Sequence, residues 1–260
     1  MLRLFPLALL PLLAFALPAS QAAEPPAHKE TRLFELRVYT AAEGKLDALH
    51  KRFKDHAVKT IEKHGATVLG VWSPLDAKDA KVYVLLAHKD KDARAATFKA
   101  IGADEDWAKA RAESEKDGKL VEKAEEIFLT ATDYSPAIKV GASKDERVFE
   151  LRTYTATEEK LDNLNARFRD HTVKLFEKHG MTNWGYFTHA KGTKGDDTML
   201  VYFLTHKSRD EAKKSFGEFG KDADWVAARK ASEEKAGGSL TAKDGVKSVF
   251  LKATDYSPTK

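Results

Sequence analysis

Alternating polar and apolar positions predict a β-strand at residues 32–40, R-L-F-E-L-R-V-Y-T. Side chains along a strand point to opposite faces in turn, so this segment has two distinct faces. One face carries Phe34, Leu36 and Val38, and the other carries Glu35, Arg37 and Tyr39. The pattern returns at residues 147–155 as R-V-F-E-L-R-T-Y-T, and the polar face of that copy carries Glu150, Arg152 and Tyr154.

The second copy of the strand belongs to an internal repeat. Residues 32–65 and 147–180 are identical at 23 of 34 aligned positions. The match resumes further along the chain and ends at A-T-D-Y-S-P, residues 131–136 and 253–258. The chain therefore consists of two copies of one unit.

Each copy has the same predicted order of elements. Apolar residues spaced three and four apart predict a helix after the first strand, and Gly65 follows it as a left-handed stop. Asp104 is expected to cap a restart of the second helical region. The elements predicted in the first repeat are a strand at 33–40, a helix at 44–64, strands at 67–72 and 81–88, a helical region at 90–123 and a strand at 126–131.

This β-α-β-β-α-β order is that of a ferredoxin-like unit, in which two helices cover one face of a four-stranded sheet. We expect the face with Phe34 to meet the helices and the face with Glu35 to stay open. Because two open faces on one chain can cover each other, the prediction is an α+β fold. Its two ferredoxin-like βαββαβ repeats would form an intrachain α/β barrel of the dimeric type. The polar strand residues would then point into the barrel or toward its mouths.

The first residues have the layout of a secretory signal peptide. Arg3 precedes an apolar run that ends at Pro18, and small residues follow it. This layout predicts a secreted or periplasmic bacterial protein. The predicted organisation is a signal peptide at 1–23, a short linker at 24–31, a first repeat at 32–136, a linker at 137–146 and a second repeat at 147–258.

Composition excludes several classes of function. The chain has no cysteine, which excludes disulfides, thiol catalysis and thiolate metal sites. Its 44 basic and 40 acidic residues are interspersed, unlike the clustered basic face of a nucleic-acid-binding protein. No later stretch is long and apolar enough to span a membrane, so we expect no span after signal cleavage. The duplication removes the need for a homodimer and predicts a monomer with an internal pseudo-two-fold axis.

The polar strand face has three possible roles. Charges held inside a protein must pair with each other or with a ligand, because an unpaired buried charge costs several kcal/mol. The residues could form a structural network that sets the register of the two halves. They could instead form the polar floor of a ligand pocket, or lie exposed.

The histidines are weaker candidates for function. His88 and His206 end the third strand of each repeat, where they could reach a barrel mouth and bind a ligand. His56 and His171 follow the apolar stripe of the first helix. They could cap a carbonyl at the edge of the core, or they could bind a ligand or transfer a proton. No metal site is predicted, since no H-E-x-x-H or similar spacing is present.

Two further repeated features are expected to be structural. His64 and His179 occupy the last turn of the first helix, where positive charge suits the helix dipole. The T-D-Y-S-P segments are expected to be strand exits, with Asp133 or Asp255 closing a turn.

The motifs F-E-L-R-x-Y-T, K-L-D at 45–47, D-H at 55–56, E-K-H-G at 62–65 and D-x-D-W at 104–107 resemble the NIPSNAP family. That family belongs to the dimeric α/β-barrel superfamily, so the resemblance implies the same fold. It implies no activity, and the roles of animal members in mitochondria, vesicle traffic and protein interaction are not carried over to this exported, duplicated chain.

The sequence favours non-catalytic binding of a small molecule or a protein. No nucleophile elbow, phosphate loop or dinucleotide fingerprint is present, so no enzyme class is assigned and no cofactor is predicted. The alternative is a cofactor-independent or haem-linked monooxygenase, because the wider superfamily includes such enzymes. In that case Arg37 and Arg152 would hold an acidic substrate, and His88 or His206 would move a proton.

Overall fold

A computed structural model describes residues 30–76, 78–138, 140–141, 143 and 146–260. The predicted signal peptide lies outside these ranges. The strands are β1 Leu33–Ala41, β2 Thr67–Pro74, β3 Lys81–His88, β4 Val121–Ala131, β5 Val148–Ala156, β6 Thr182–His189, β7 Met199–His206 and β8 Thr241–Ala253. The helices are α1 Leu46–Arg52, α2 Val58–Lys63, α3 Lys91–Gly102, α4 Glu105–Ser114, α5 Leu161–Arg167, α6 Val173–Lys178, α7 Arg209–Phe219 and α8 Ala223–Lys235.

The eight strands close into one antiparallel barrel in the order β1-β3-β2-β8-β5-β7-β6-β4. Each repeat supplies four strands, and the halves join where β2 pairs with β8 and β4 pairs with β6. The predicted α+β fold, two βαββαβ repeats forming an intrachain barrel, is confirmed. Every helix in the described ranges falls short of the length and apolarity needed to cross a bilayer.

The predicted assignment of the strand faces is wrong. Phe34, Leu36 and Val38 point into the barrel, where they pack with residues of both repeats such as Trp72 and Phe149. The interior is a packed apolar core, and burying each large side chain there stabilises the fold by roughly 1.5–3 kcal/mol. Alternation shows which residues share a face but not which layer covers that face. The polar side chains of β1 therefore lie between the sheet and the helices.

A π-helical turn interrupts the first helix of each repeat. Between α1 and α2, residues Phe53–Ala57 form a π-helical segment in which the N–H of Val58 donates to the carbonyl of Phe53. The buried stripe continues through Phe53, Ala57 and Ile61. The wider turn leaves His56 exposed, and the same turn at Phe168–Thr172 leaves His171 exposed. The predicted core-edge position of these two histidines is wrong.

The second helical region is shorter than predicted. The helices end at Ser114, and β4 already begins at Val121. The predicted cap is confirmed, because Asp104 accepts a hydrogen bond from the N–H of Trp107 at 2.9 Å. His64 bonds to the same carboxylate at 2.8 Å, which ties the end of α2 to the start of α4. The predicted stop at Gly65 is confirmed by its φ of 95°.

The repeated T-D-Y-S-P segments connect the two halves. In the first, Tyr134 donates to Asn165 at 2.7 Å and Asp133 accepts two hydrogen bonds from Arg169. In the second, the Tyr256 hydroxyl lies 2.7 Å from Nδ1 of His50. As predicted, Asp133 and Asp255 lie in the turns that follow β4 and β8, and each turn is closed by a backbone hydrogen bond, from Ser135 to Thr132 and from Ser257 to Thr254. The carboxylates themselves pair with the other repeat, Asp133 with Arg169 and Asp255 with Lys54.

Candidate functional site

The site in the first repeat is centred on Arg37, which lies under the helices. Its Nη1 is 2.6 Å from Oε1 of Glu35, and its Nη2 is 2.6 Å from Oε1 of Glu126. Its Nε donates to the Tyr39 hydroxyl at 2.6 Å. The alternation of β1 brings Glu35, Arg37 and Tyr39 to one face, and Glu126 comes from the adjacent β4. The arginine is therefore paired on three sides.

Glu35 is the most saturated acceptor of this network. Its carboxylate also receives hydrogen bonds from Nε2 of His88 and from Nε and Nη2 of Arg94, each at 3.1 Å. Burial raises the pKa of Glu35, but the bonds from His88 and Arg94 and the charge of Arg37 outweigh it and lower the pKa to about 2. Glu35 is therefore ionised near neutral pH and is a poor general base.

His88 does not reach a barrel mouth. Its side chain is fully buried, and donation from Nε2 to Glu35 leaves Nδ1 with no hydrogen-bond partner among the described residues. The face of β3 that carries His88 also carries Val84 and Leu86, which pack beneath the helices. The predicted access of His88 to a mouth is wrong for the same reason as the strand faces. His206 is equally buried, at 3.0 Å from Glu150.

A cleft opens above this network, between the sheet and the helices of the first repeat. Its volume is about 570 Å³, within the range of small-molecule sites. The guanidinium of Arg37 lies 4.7 Å from the ring centroid of Phe98, which forms part of the wall. The cleft is lined by Arg37, Tyr39, Arg52, Phe53, Ala57, Thr60, Ile61, Phe98, Ile101, Trp107, Arg111, Glu115, Lys119 and Val121.

A second charged group lies at the far wall of the cleft. Arg52, on α1, is buried and pairs with Oε1 of Glu115 at 2.7 Å. Arg111, on α4, approaches Oε2 of the same carboxylate at 3.3 Å. The guanidinium of Arg52 also lies 5.8 Å from the ring centroid of Trp107. Two guanidinium groups thus share one carboxylate beside an aromatic wall.

The second repeat has a related but simpler network. Arg152 pairs with Glu150 at 2.5 Å, and His206 bonds to the same carboxylate. Nε of Arg152 donates to the hydroxyl of Tyr202 at 2.9 Å, and Nη2 donates to that of Tyr154 at 3.3 Å. Burial lowers the pKa of Arg152, but the charges of its tyrosine neighbours and of Glu150 raise it overall. The positions of Arg94 and Glu126 are taken here by Ala212 and Ser248, and the serine donates to Glu150 at 2.5 Å.

Bulkier residues fill the corresponding cleft of the second repeat. Its cavity is about 220 Å³, and Arg152 is not among the lining residues. The paired Val71 and Val84 of the first repeat correspond to Tyr186 and Tyr202, whose rings stack at 5.2 Å. Three further exchanges in the lining, from the first repeat to the second, are Ala57 to Thr172, Ile61 to Phe176 and Ile101 to Phe219.

The structure thus brings the predicted residues together in two separate sets. Glu35, Arg37, Tyr39 and His88 form one set, and Glu150, Arg152, Tyr154 and His206 form the other. Among the described residues, each carboxylate bonds only within its own repeat, so the networks do not set the register between halves. The exposed His56 and His171 join neither set.

Sequence reasoning missed several residues of the site. Arg52 and Arg167 sit on the buried stripe of the first helix, and an arginine repeated on an apolar stripe is a usable signal of a buried ion pair. Arg94 and Glu126 differ together from Ala212 and Ser248 in the second copy, and such a paired change indicates contact. The role of Trp107 as part of a cleft wall had no sequence signal beyond its repetition.

The comparisons with known proteins agree with this architecture. The sequence model of the NIPSNAP family matches residues 34–136 and again 149–258. A search among curated proteins found no match. A provisionally named monooxygenase from Fusobacterium nucleatum subsp. nucleatum is similar in structure, with a TM-score of 0.57, 10% identity, and coverage of 86% of this chain and 92% of that one.

Two other solved structures are also similar. A provisionally named monooxygenase from Lactobacillus acidophilus has a TM-score of 0.53 and 14% identity, covering 86% of this chain and 94% of the other. An uncharacterised NIPSNAP domain protein from Burkholderia xenovorans is 25% identical over 40% of this chain and 98% of its own, with a TM-score of 0.36. At 10% and 14% identity, the structures from Fusobacterium nucleatum and Lactobacillus acidophilus establish the shared fold alone.

The residues of the cleft do not fit a haem iron. No histidine of the described ranges lines it, and Nε2 of His88 and of His206 is engaged by a glutamate. Tyr39 does line the cleft, but its oxygen accepts a hydrogen bond from Arg37. Burial raises the pKa of Tyr39, although Arg37 opposes it, which disfavours the phenolate that would bind iron.

Proposed function

Because the chain belongs to the NIPSNAP family and its first repeat holds a roomy cleft, we propose that it is a non-catalytic small-ligand-binding protein. The observation that carries the proposal is the contrast between the open cleft and its floor, where the hydrogen-bonding groups already have partners within the protein. The charged groups of the floor are paired, and the pKa of Glu35 lies far below neutral. Such a site offers shape, aromatic contact and fixed charge, but no group poised to exchange a proton near pH 7.

Native mass spectrometry of protein purified from its own host tests this proposal. We expect one additional small-molecule mass per chain, lost in Arg37→Ala, which opens the cleft floor. Arg152→Ala is the matched control, because Arg152 does not line the corresponding cavity of the second repeat, and the ligand should be retained. Unfolded variants are recognised by their high charge states. An apo wild-type protein, or a co-purifying protein chain in place of a small molecule, would overturn the proposal.

The alternative function is a cofactor-independent monooxygenase. It is supported by the fold shared with two structures that are provisionally named monooxygenases. Oxygen consumption by the folded wild-type protein in the presence of the co-purified ligand would favour this alternative over binding.

Two further parts of the proposal concern the state of the protein. The barrel closes within one chain, which supports a monomer, and sedimentation as a stable dimer would contradict it.

The apolar N-terminal segment with its small-residue end supports export to the periplasm or medium. Fractionation of cells and N-terminal sequencing of the mature protein would check export, and an intact N-terminus in the cytoplasm would refute it.

A further inference from the structure

We propose that the cleft of the first repeat takes a monoanionic ligand with a flat apolar body, such as an aromatic carboxylate. This inference rests on the proposed function and adds the chemical class of the ligand. It follows from the charge left over in the cleft, from the shape of its walls, and from its contrast with the second repeat.

Among the residues that the structure describes, the charges around the cleft leave one positive charge uncompensated. In the floor, Arg37 and Arg94 are balanced by Glu35 and Glu126. At the rim, Lys119 is balanced by Glu122 at 2.7 Å. The far wall differs, because one carboxylate, Glu115, serves two guanidinium groups.

That far wall is the place for a ligand acid group. Arg52 is buried and holds Glu115 at 2.7 Å, so the excess charge belongs to Arg111, which contacts the same carboxylate only at 3.3 Å. Arg111 is largely exposed and has hydrogen-bond donors to spare. A planar guanidinium matches a carboxylate in geometry, and a charge-assisted bond is stronger next to a low-dielectric wall than in water.

The remaining walls suit a flat apolar body. Phe53, Phe98 and Trp107 line the cleft together with Ile61 and Ile101. Aromatic rings favour offset or edge-on contact with another ring, which adds to simple burial. A space of about 570 Å³ accommodates a ring system larger than a single amino acid side chain.

The second repeat provides an internal control. Its Arg229 and Arg167 also share one glutamate, Glu233, at 3.3 and 3.5 Å. The charge pattern is thus retained, but the cavity, which Phe176 and Phe219 line in place of Ile61 and Ile101, has a volume of only about 220 Å³. Charge without room should not bind the ligand, so we expect one site per chain.

Calorimetric titration of the purified full chain with 2-naphthoate and 2-naphthalenemethanol tests the inference, since the two probes share a ring system and differ in charge. We expect one naphthoate per chain, bound about tenfold or more tightly than the alcohol. Arg111→Gln should remove the difference between the probes. Arg229→Gln, the equivalent change in the second repeat, should leave it unchanged.

Each other outcome is decisive. Equal affinity for both probes in the wild type would overturn the anionic class while leaving the proposed binding function in place. Loss of the preference in Arg229→Gln as well would overturn the assignment to the far wall of the first cleft. Failure of both probes to bind would count against the proposed function itself.

Discussion

The two repeats carry the same charged strand at equivalent positions in the barrel, but they differ in the volume of the cavity beneath their helices. In the first, Arg37 opens onto a cleft of about 570 Å³. In the second, Arg152 is capped by the hydroxyls of Tyr154 and Tyr202, and the cavity is about 220 Å³. The charged motif is therefore a structural feature common to both copies. What distinguishes a binding half from a filled half is the size of the apolar residues around it.

The ion-pair networks of the two repeats also differ, in their number of carboxylates. The first repeat has a second carboxylate, Glu126, that bridges Arg37 and Arg94. The second repeat has Ser248 in its place, and Glu150 is the single carboxylate paired with Arg152 among the described residues. The first network can lose one acidic partner and keep each guanidinium paired, whereas the second cannot.

The largest expected effect comes from removing the central carboxylate of each network. Glu150→Gln should lower the free energy of unfolding by about 3–5 kcal/mol, because it leaves Arg152 without a carboxylate. Glu35→Gln should cost at least about 1 kcal/mol less, since Glu126 still pairs with both arginines. Urea denaturation at pH 7 measures both values. Equal losses of unfolding free energy in the two variants would show that Glu126 does not stabilise the arginines when Glu35 is removed.

The pH dependence of stability tests the ionisation of Glu35 in the first network. The pKa of Glu35 is lowered from an unfolded value of 4.5 to about 2, so folding favours its ionised form. The resulting stability, on the order of 3 kcal/mol, is fully present above pH 4.5 and is lost as the pH falls toward 2.

The Glu35→Gln variant lacks this component. The difference in free energy of unfolding between wild type and variant should therefore shrink steadily between pH 4.5 and 2. A difference that stays constant through this window would mean that folding does not lower the pKa of Glu35.

Exchanging apolar residues between the repeats should exchange their capacity to bind. Ile101→Phe introduces the residue of the second repeat and should weaken binding of 2-naphthoate at least about tenfold by filling the cleft. Phe219→Ile enlarges the cavity of the second repeat and should cost about 1 kcal/mol of stability. Calorimetry and urea denaturation report the two effects. Undiminished binding by Ile101→Phe would place the ligand elsewhere.

The smallest expected effect concerns the contacts that join the halves. Tyr134→Phe and Tyr256→Phe each remove one hydrogen bond between the two repeats, to Asn165 and to His50 respectively. Each change should cost about 0.5–1.5 kcal/mol, and the two should be similar because the segments are equivalent. Thermal unfolding of both variants measures this. A loss in one variant alone would reveal that one junction holds the halves together.

Much of the site was accessible from the sequence because the chain is duplicated. Repetition identified Glu35, Arg37, Tyr39 and His88 as a set, and alternation placed the first three on one face. The identity of the covering layer was predicted wrongly, since period-two alternation is the same whether a face meets helices or another sheet. Arg52 and Arg111 come from helices brought over the strand only by folding, so no local pattern linked them to it.

The sequence by itself determined the duplicated βαββαβ order, the helix stop at Gly65 and the cap at Asp104, because these depend on local periodicity and backbone chemistry. The tertiary structure decided that the apolar face of β1 fills the barrel and that the charged face lies under the helices. It also decided which repeat is open. These features depend on the summed volumes of residues far apart in the chain, such as Val84 and Ile101 against Tyr202 and Phe219. Packing in three dimensions, not pattern along the chain, sets whether such a space is filled.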